Sequence, residues 1–381
     1  MYTLKIVQKD AQTVPPTPSD LANFGIHQIF RREAFRTVGY SRYLPLTELD
    51  KDTHDLPQEI YDRMKPALRL ATLFVKLLTP KFARIMSAQV ENCPLANGRR
   101  GLLLTDEWVD DVPDVTASFA KLCTNYRFTL LAEDEFPRSF CAVHDGVAGT
   151  SGLLTHIPEA KFDHVYPQTA LRSSLLELFV AEEWETMCTE EKYNYYFMLA
   201  TTLVHQLAHA VWIDRVLSRH PHEGFETGEI EICEPEARCR RNQMFAELGS
   251  EMELELFGCL PALPHFETPT IAERACMDDE PYKVLFALLD KNARHIDICQ
   301  ASNSTIYSFF DPQFWASLEE NRFPNYVIEL LANRRLPRRR LSNPLSDPTF
   351  LADFDAPIIS VPLPGMFKNK PAITADNELV G

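Results

Sequence analysis

The stretch Leu203-Val204-His205-Gln206-Leu207-Ala208-His209-Ala210-Val211-Trp212 decides how this chain is read. Two histidines stand four residues apart inside a strongly apolar run. Four residues is just over one helical turn, so on a helix both imidazoles leave the same face and can chelate one ion. Met198, Thr202, Trp212 and Val216 share that face, while Leu203, Leu207, Ala210, Val211 and Leu217 cover most of the rest. A helix that is apolar nearly all round is buried, and buried imidazoles need partners. Histidine pairs at this spacing also arise by chance, in roughly a quarter to a third of chains this rich in histidine. Taken alone, the pair is also compatible with two hydrogen-bonded core histidines.

A second segment changes that balance. Phe245-Ala246-Glu247-Leu248-Gly249-Ser250-Glu251-Met252-Glu253-Leu254-Glu255-Leu256-Phe257-Gly258 belongs to a helix expected from about Gln243 to Phe257, stopped by Gly258 and Pro261. In one large class of zinc hydrolases, a carboxylate from a separate downstream helix completes a site of two histidines and one carboxylate with an open fourth position. The two segments together resemble the zincin metallopeptidases of the gluzincin type. They are most similar to a group of intracellular fungal metallopeptidase-like proteins in which H-E-x-A-H-A is followed by E-L-G-x-x-x-E-x-x-L-F-G. Glu247, Leu248, Gly249, Glu253, Leu256, Phe257 and Gly258 carry the second match, and the resemblance is confined to residues 203 to 258.

The resemblance implies a zincin-like fold with Zn2+ held by His205, His209 and Glu247. Glu253 becomes a residue of the layer behind the ligands or of the helix packing. Glu251, one turn after Glu247, is a competing ligand and a second candidate for that layer. His220 and His222, in a polar segment from Ser218 to Asn242, are further competitors. A third histidine at H-x-x-x-H-x-x-G-x-x-H spacing is excluded, because Trp212 and Arg215 occupy the glycine and histidine positions.

The departure from the family lies at Gln206. In H-E-x-x-H enzymes the glutamate beside the first histidine takes a proton from the activated water and passes it to the leaving nitrogen. Gln206 cannot accept that proton as a carboxylate does, although it can orient a water or a carbonyl through hydrogen bonds.

Around this centre the chain divides into an extended, proline-bearing arm over 1–20, a mainly helical region over 21–125, a zincin-like metal-binding region over 126–340 and a proline-rich tail over 341–381. Apolar spacing from Leu56 to Val90 predicts helices interrupted near Pro66 and Pro80. Tyr126 to Leu131 and Gly152 to Ile157 read as strands of a small sheet preceding the metal helix. Helical patterns run from about Gln168 to Met187 and from about Glu190 to Leu217, the second with Thr189 and acidic residues at its start. Residues 281–333 read as mostly helical. The glycine-rich Gly146 to Gly152 matches no phosphate-binding motif and reads as a turn between strands. The basic run Arg334, Arg335, Arg338, Arg339 and Arg340 reads as a solvated element end or a docking patch.

Composition bounds the function. With 381 residues, 45% of them hydrophobic, the chain can bury a large core. A formal net charge of -16 argues against a nucleic-acid surface. The first nineteen residues carry no charged-then-apolar leader, no segment reaches about 18 uninterrupted apolar residues, and the nine cysteines form no C-x-x-C pair. The expectation is a soluble cytoplasmic protein with neither nucleic-acid nor membrane partners. Its fold class is α+β, mostly helical. It is read as a zinc-binding, metallopeptidase-like protein with weak or absent peptide hydrolysis, acting on a peptide or a small molecule. The alternatives are a zinc-dependent Lewis-acid hydrolase, lyase or isomerase on a small biosynthetic substrate, and a non-catalytic binding protein on the same fold.

Overall fold

The structure is a computed structural model of the chain. It describes residues 2–5, 21–38, 54–94, 100–105, 112–131, 149–152, 168–172, 179, 183–219, 236–240, 247–261, 284–289, 295–301, 303–320, 326–329 and 339–342. Among these, the helices are α1 (Gln58–Leu77), α2 (Thr79–Ser87), α3 (Val112–Asn125), α4 (Glu183–Thr186), α5 (Thr189–Arg219), α6 (Leu248–Phe257), α7 (Asn303–Ser308) and α8 (Pro312–Glu320). The strands are β1 (Tyr2–Lys5), β2 (Phe35–Val38), β3 (His54–Asp55), β4 (Val90–Pro94), β5 (Arg100–Leu104), β6 (Arg127–Leu131), β7 (Gly149–Gly152), β8 (Gln168–Arg172), β9 (Ala237–Arg238), β10 (Leu260–Pro261), β11 (Leu285–Leu289), β12 (His295–Gln300), β13 (Tyr326–Glu329) and β14 (Arg339–Ser342). Helix outweighs strand, so the chain is α+β and mostly helical. No helix among the described residues is long and apolar enough to cross a membrane.

The longest helix, α5, is the axis of the core. Glu190 and Glu191 stand in its first turn, where they complement the helix dipole, and Glu191 Oε2 accepts from Cys188 N–H at 3.0 Å. From Tyr193 to Ile213 nearly every side chain is buried, which accounts for the lack of a polar face in its sequence. α1 and α6 pack along it. Phe74 of α1 joins these layers, its ring lying 6.2 Å from Phe197, 5.4 Å from Phe257, 5.8 Å from Phe309 and 6.0 Å from Trp315. Arg215, buried in α5, donates to the carbonyls of Ile85 and Ala88 and so ties the end of α2 to the same axis.

The predicted break at Pro66 does not occur, since α1 runs unbroken through it. An internal proline costs about 3 kcal/mol, and burial of a large apolar side chain contributes roughly 1.5–3 kcal/mol. Met64, Ala67, Leu68, Leu70 and Leu73 are all buried on either side of Pro66 and outweigh the break. Pro80 lies in the first turn of α2, where a missing N–H is not needed.

The largest sheet has the order β3-β2-β6-β8-β7, with β2, β6 and β8 parallel and β3 and β7 antiparallel at its edges. β7 and β8 face α5. The sheet therefore does precede and abut the histidine helix, but it is larger than the sequence predicts. It also crosses the boundary drawn at 125/126, because β2 pairs with β6. The helix expected over Gln168 to Met187 is corrected: Gln168–Arg172 is a strand, and helix is confined to Glu183–Thr186 in the described remainder. A strand enclosed by two neighbours shows a short apolar run rather than alternation, and periodicity does not separate that from a helix segment.

Residues 281–333 are likewise corrected. β11 and β12 form an antiparallel pair within the sheet β10-β11-β12-β14, and only then do α7 and α8 follow. Arg339 and Arg340 of the basic run lie in β14, paired with Ile298 and Asp297, while 334–338 fall outside the described residues. β1, within the expected N-terminal arm, pairs in parallel with β13. The tail beyond 342 and the strand expected over 153–157 are also outside the described residues. The glycine-rich stretch ends in β7 rather than in a turn, with 146–148 outside the described residues.

Candidate metal centre

α5 presents His205 and His209 on one face, their ring centroids 5.0 Å apart. Facing them, the chain enters α6 through Glu247. This residue is the N-cap of that helix, with extended backbone at φ −155° and ψ 98°. Its Oε1 lies 3.0 Å from His205 Nε2 and 2.7 Å from His209 Nε2, while its other oxygen accepts from Ser250 N–H and closes the cap. Glu247 was expected inside a longer helix with Glu251 on the same face. The cap position corrects this, because an extended residue does not share the helical wheel of those that follow.

Each imidazole is also held from behind. His205 Nδ1 donates to Glu253 Oε1 at 2.8 Å, and His209 Nδ1 donates to Glu236 Oε1 at 2.6 Å. Ionised carboxylates only accept, so Nδ1 carries the proton and Nε2 is the atom each ring turns towards Glu247. Glu253 is buried, and its second oxygen has no hydrogen-bond partner among the described residues. Glu236, also buried, uses its second oxygen to accept from Leu248 N–H at 2.8 Å. It is held in place by β9, which follows it directly and pairs in parallel with β5. Arg84 adds hydrogen bonds of 2.9 Å to the carbonyls of Cys239 and Leu104.

Burial works against charge on both imidazoles, but the carboxylates outweigh it. Glu247 and Glu253 hold His205 well above the usual histidine range, and Glu236 and Glu247 raise His209 to about 9. Glu247 is held well below the carboxylate range, because the two histidines overcome the opposing effect of burial. Glu253 is raised, mainly by burial, against the lowering influence of His205.

His205, His209 and Glu247 therefore come together, with one ligand atom from each lying within 4.8 Å of the others. Two imidazole nitrogens and a carboxylate oxygen, all turned inward and fixed from behind, form a set that can hold one metal ion. Gln206, adjacent to His205, is buried. Glu253 stands behind His205. Glu251 does not join the group, since its carboxylate is paired with Arg240, with hydrogen bonds of 2.9 and 3.0 Å. His220 and His222 lie outside the described residues. The sequence reading missed Glu236, which is one of six glutamates between positions 220 and 240. The available signal was indirect: a buried ligand histidine needs an acceptor for its second nitrogen.

Tyr193 and Tyr196, upstream of the histidines on α5, belong to the aromatic core. Tyr193 precedes His205 by twelve positions on α5, about 18 Å along the helix. It packs against Tyr307 and Phe310, at 5.3 and 4.6 Å between ring centroids. Tyr196 lies in the same aromatic cluster, 6.2 Å from Phe310.

No family model matches the chain, and no curated protein or solved structure matches it either.

Proposed function

We propose that the protein is a metallopeptidase-like zinc protein. In this reading His205, His209 and Glu247 hold the ion, and Gln206 stands where a peptidase carries its general base, so that peptide hydrolysis is weak or absent. The observation that carries the reading is the bracketing of each imidazole, with Nε2 turned to Glu247 and Nδ1 held by a buried carboxylate. A hydrogen-bonded core histidine needs no such double arrangement, whereas a carboxylate behind each ligand histidine is the usual support of a zinc site. Three carboxylates gathered around two buried imidazoles also favour a cation among them.

The donor set of two nitrogens and one carboxylate oxygen suits zinc, and three protein donors leave a fourth position for water or substrate. Zinc bound there would supply Lewis-acid polarisation of a carbonyl or of water. Glu236 and Glu253 fix the rings, and Glu247 both caps α6 and offers its oxygen to the ion. The sheet packed against α5 supports a zincin-like arrangement. The Gln206 carboxamide can position a substrate group but holds no proton in transit near neutral pH.

Gln206 also favours a second reading, a zinc-dependent enzyme acting on a small molecule without a glutamate base. Glu236 and Glu253 stand on the Nδ1 side of the rings, away from the ion position. Among the described residues, neither can take over the general-base role.

Metal analysis of the full chain, purified without added metal, tests the proposal. Close to one zinc per chain is expected, and none in the His205→Ala/His209→Ala double variant. Undiminished zinc in that variant, or a parent protein that takes up no zinc, overturns the reading.

A further inference from the structure

Gly249, the second residue of α6, is buried, and its helical backbone is one that alanine adopts without strain. Among the described residues, the glycine with left-handed backbone is Gly258, which caps the other end of α6 at φ 68°. In a helix, glycine is less favourable than alanine because it loses more backbone freedom on folding. Backbone geometry therefore gives no reason for a glycine at 249.

The space around it does. A Cβ at this position would lie 2.5 Å from both Cγ and Nε2 of His205 and would also press on Cδ2. Carbon atoms in favourable contact stand about 3.5–4.0 Å apart. A methyl group here would have to displace the ring by roughly an ångström. The ring is not free to yield, because Nδ1 is held by Glu253 at 2.8 Å and Nε2 faces Glu247 at 3.0 Å. α6 cannot easily retreat either, since Leu248 N–H is bonded to Glu236 and Leu248, Met252, Leu256 and Phe257 are buried beneath it.

From this geometry, and resting on the metal-site reading above, we infer that Gly249 is a positioning residue whose missing side chain is the space occupied by the His205 imidazole. The bare backbone lets α6 approach α5 closely enough for the Glu247 carboxylate to reach both Nε2 atoms. Any side chain at 249 moves the first ligand out of line with the other two.

The test compares the full-length parent with Gly249→Ala, His205→Ala and the double variant. Zinc affinity is measured by chelator competition, and metal-free melting temperature is measured separately. Gly249→Ala should weaken zinc binding by about ten- to a hundredfold, the range for disturbing groups that orient a ligand, and should lower the metal-free melting temperature. In the His205→Ala background the same substitution should leave that temperature unchanged or raise it, because the methyl enters the vacated space and alanine favours helix. A melting penalty equal in both backgrounds, or parent-like affinity and melting in Gly249→Ala, overturns the inference. If Gly249→Ala alone does not fold, a folded double variant supports the inference and an unfolded one sinks it. Failure of the parent to bind zinc would count against the metal reading alone, since the reversal in metal-free melting is read without metal.

Discussion

Glu236 joins His209 to the first turn of the helix that begins at Glu247. One carboxylate oxygen accepts from His209 Nδ1 at 2.6 Å and the other from Leu248 N–H at 2.8 Å, next to Glu247. A single buried side chain thus sets the orientation of the His209 imidazole and the starting point of the helix capped by Glu247. Its own place is fixed by the pairing of β9 with β5, so a two-stranded contact remote from α5 in sequence determines the geometry of the centre.

Glu236→Gln should therefore impair metal binding more than a near-isosteric change suggests. The amide has one acceptor oxygen and one donor nitrogen, so it cannot accept from both His209 and Leu248. Zinc affinity should fall by about ten- to a hundredfold. The metal-free protein should also lose on the order of 1–3 kcal/mol, because a buried donor is left unsatisfied. Chelator competition and denaturant unfolding measure the two effects, and parent-like values in both would exclude the linking role.

A pH dependence follows from the same contacts. In the metal-free protein, His209 is raised to about 9 from an ordinary 6.5. The stabilisation from its charged form is fully present below pH 6.5 and is lost as pH rises through about 9. Zinc requires neutral imidazoles, so its affinity should rise over the same interval. The melting-temperature gap between zinc-loaded and metal-free protein should widen steadily from pH 6.5 towards 9. A gap that is constant or narrows over that interval contradicts the arrangement.

The parts of this site legible in the sequence are those encoded by helical spacing. His205 and His209 fall on one face of a buried helix because four residues is just over one helical turn, and Gly258 marks the end of α6 because its backbone is left-handed. The helix at 168 was misread because Thr169, Ala170 and Leu171 form a short run enclosed by β6 and β7, too brief to display a period. β11, Leu285–Leu289, is likewise an unbroken apolar run, whereas β12, His295–Gln300, alternates Ile296 and Ile298 with Asp297, a strand pattern present in the sequence. Glu236 was not legible because its role depends on strand pairing and on Arg84, neither of which leaves a local trace in residues 220–240. Gly249 was visible as part of a motif, but its reason is the three-dimensional closeness of the His205 ring.

Two glutamates that the sequence could not separate should behave differently. Glu251 pairs with Arg240, whose side chain is 55% exposed. Glu251→Gln should leave zinc content unchanged and cost about 1–3 kcal/mol of stability, because the Glu251 side chain is 10% exposed and loses a charge-assisted hydrogen bond to Arg240. Glu253→Gln replaces the charged acceptor behind His205 with a weaker one, and zinc affinity should drop by about tenfold or more. Equal effects of the two substitutions on zinc affinity would remove the distinction drawn between them.

The decisive chemical prediction concerns Gln206→Glu. If the centre is a peptidase site lacking its base, the metal ligands and their supporting carboxylates are already placed, and the new carboxylate supplies the missing proton acceptor. General-base assistance is typically worth about 10²- to 10⁴-fold, so casein or short-peptide cleavage should rise from near zero to an easily measured rate. The substitution also adds a buried negative charge at the residue next to His205. It should therefore lower the melting temperature of the metal-free protein more than that of the zinc-loaded one, where the ion compensates the charge. If the centre instead serves a small molecule, the variant should bind zinc, show the same difference in melting and gain no peptidase activity. Strong peptide cleavage by the unmodified protein, abolished by chelator and by His205→Ala, would show that Gln206 does not limit hydrolysis and would overturn both readings of its role.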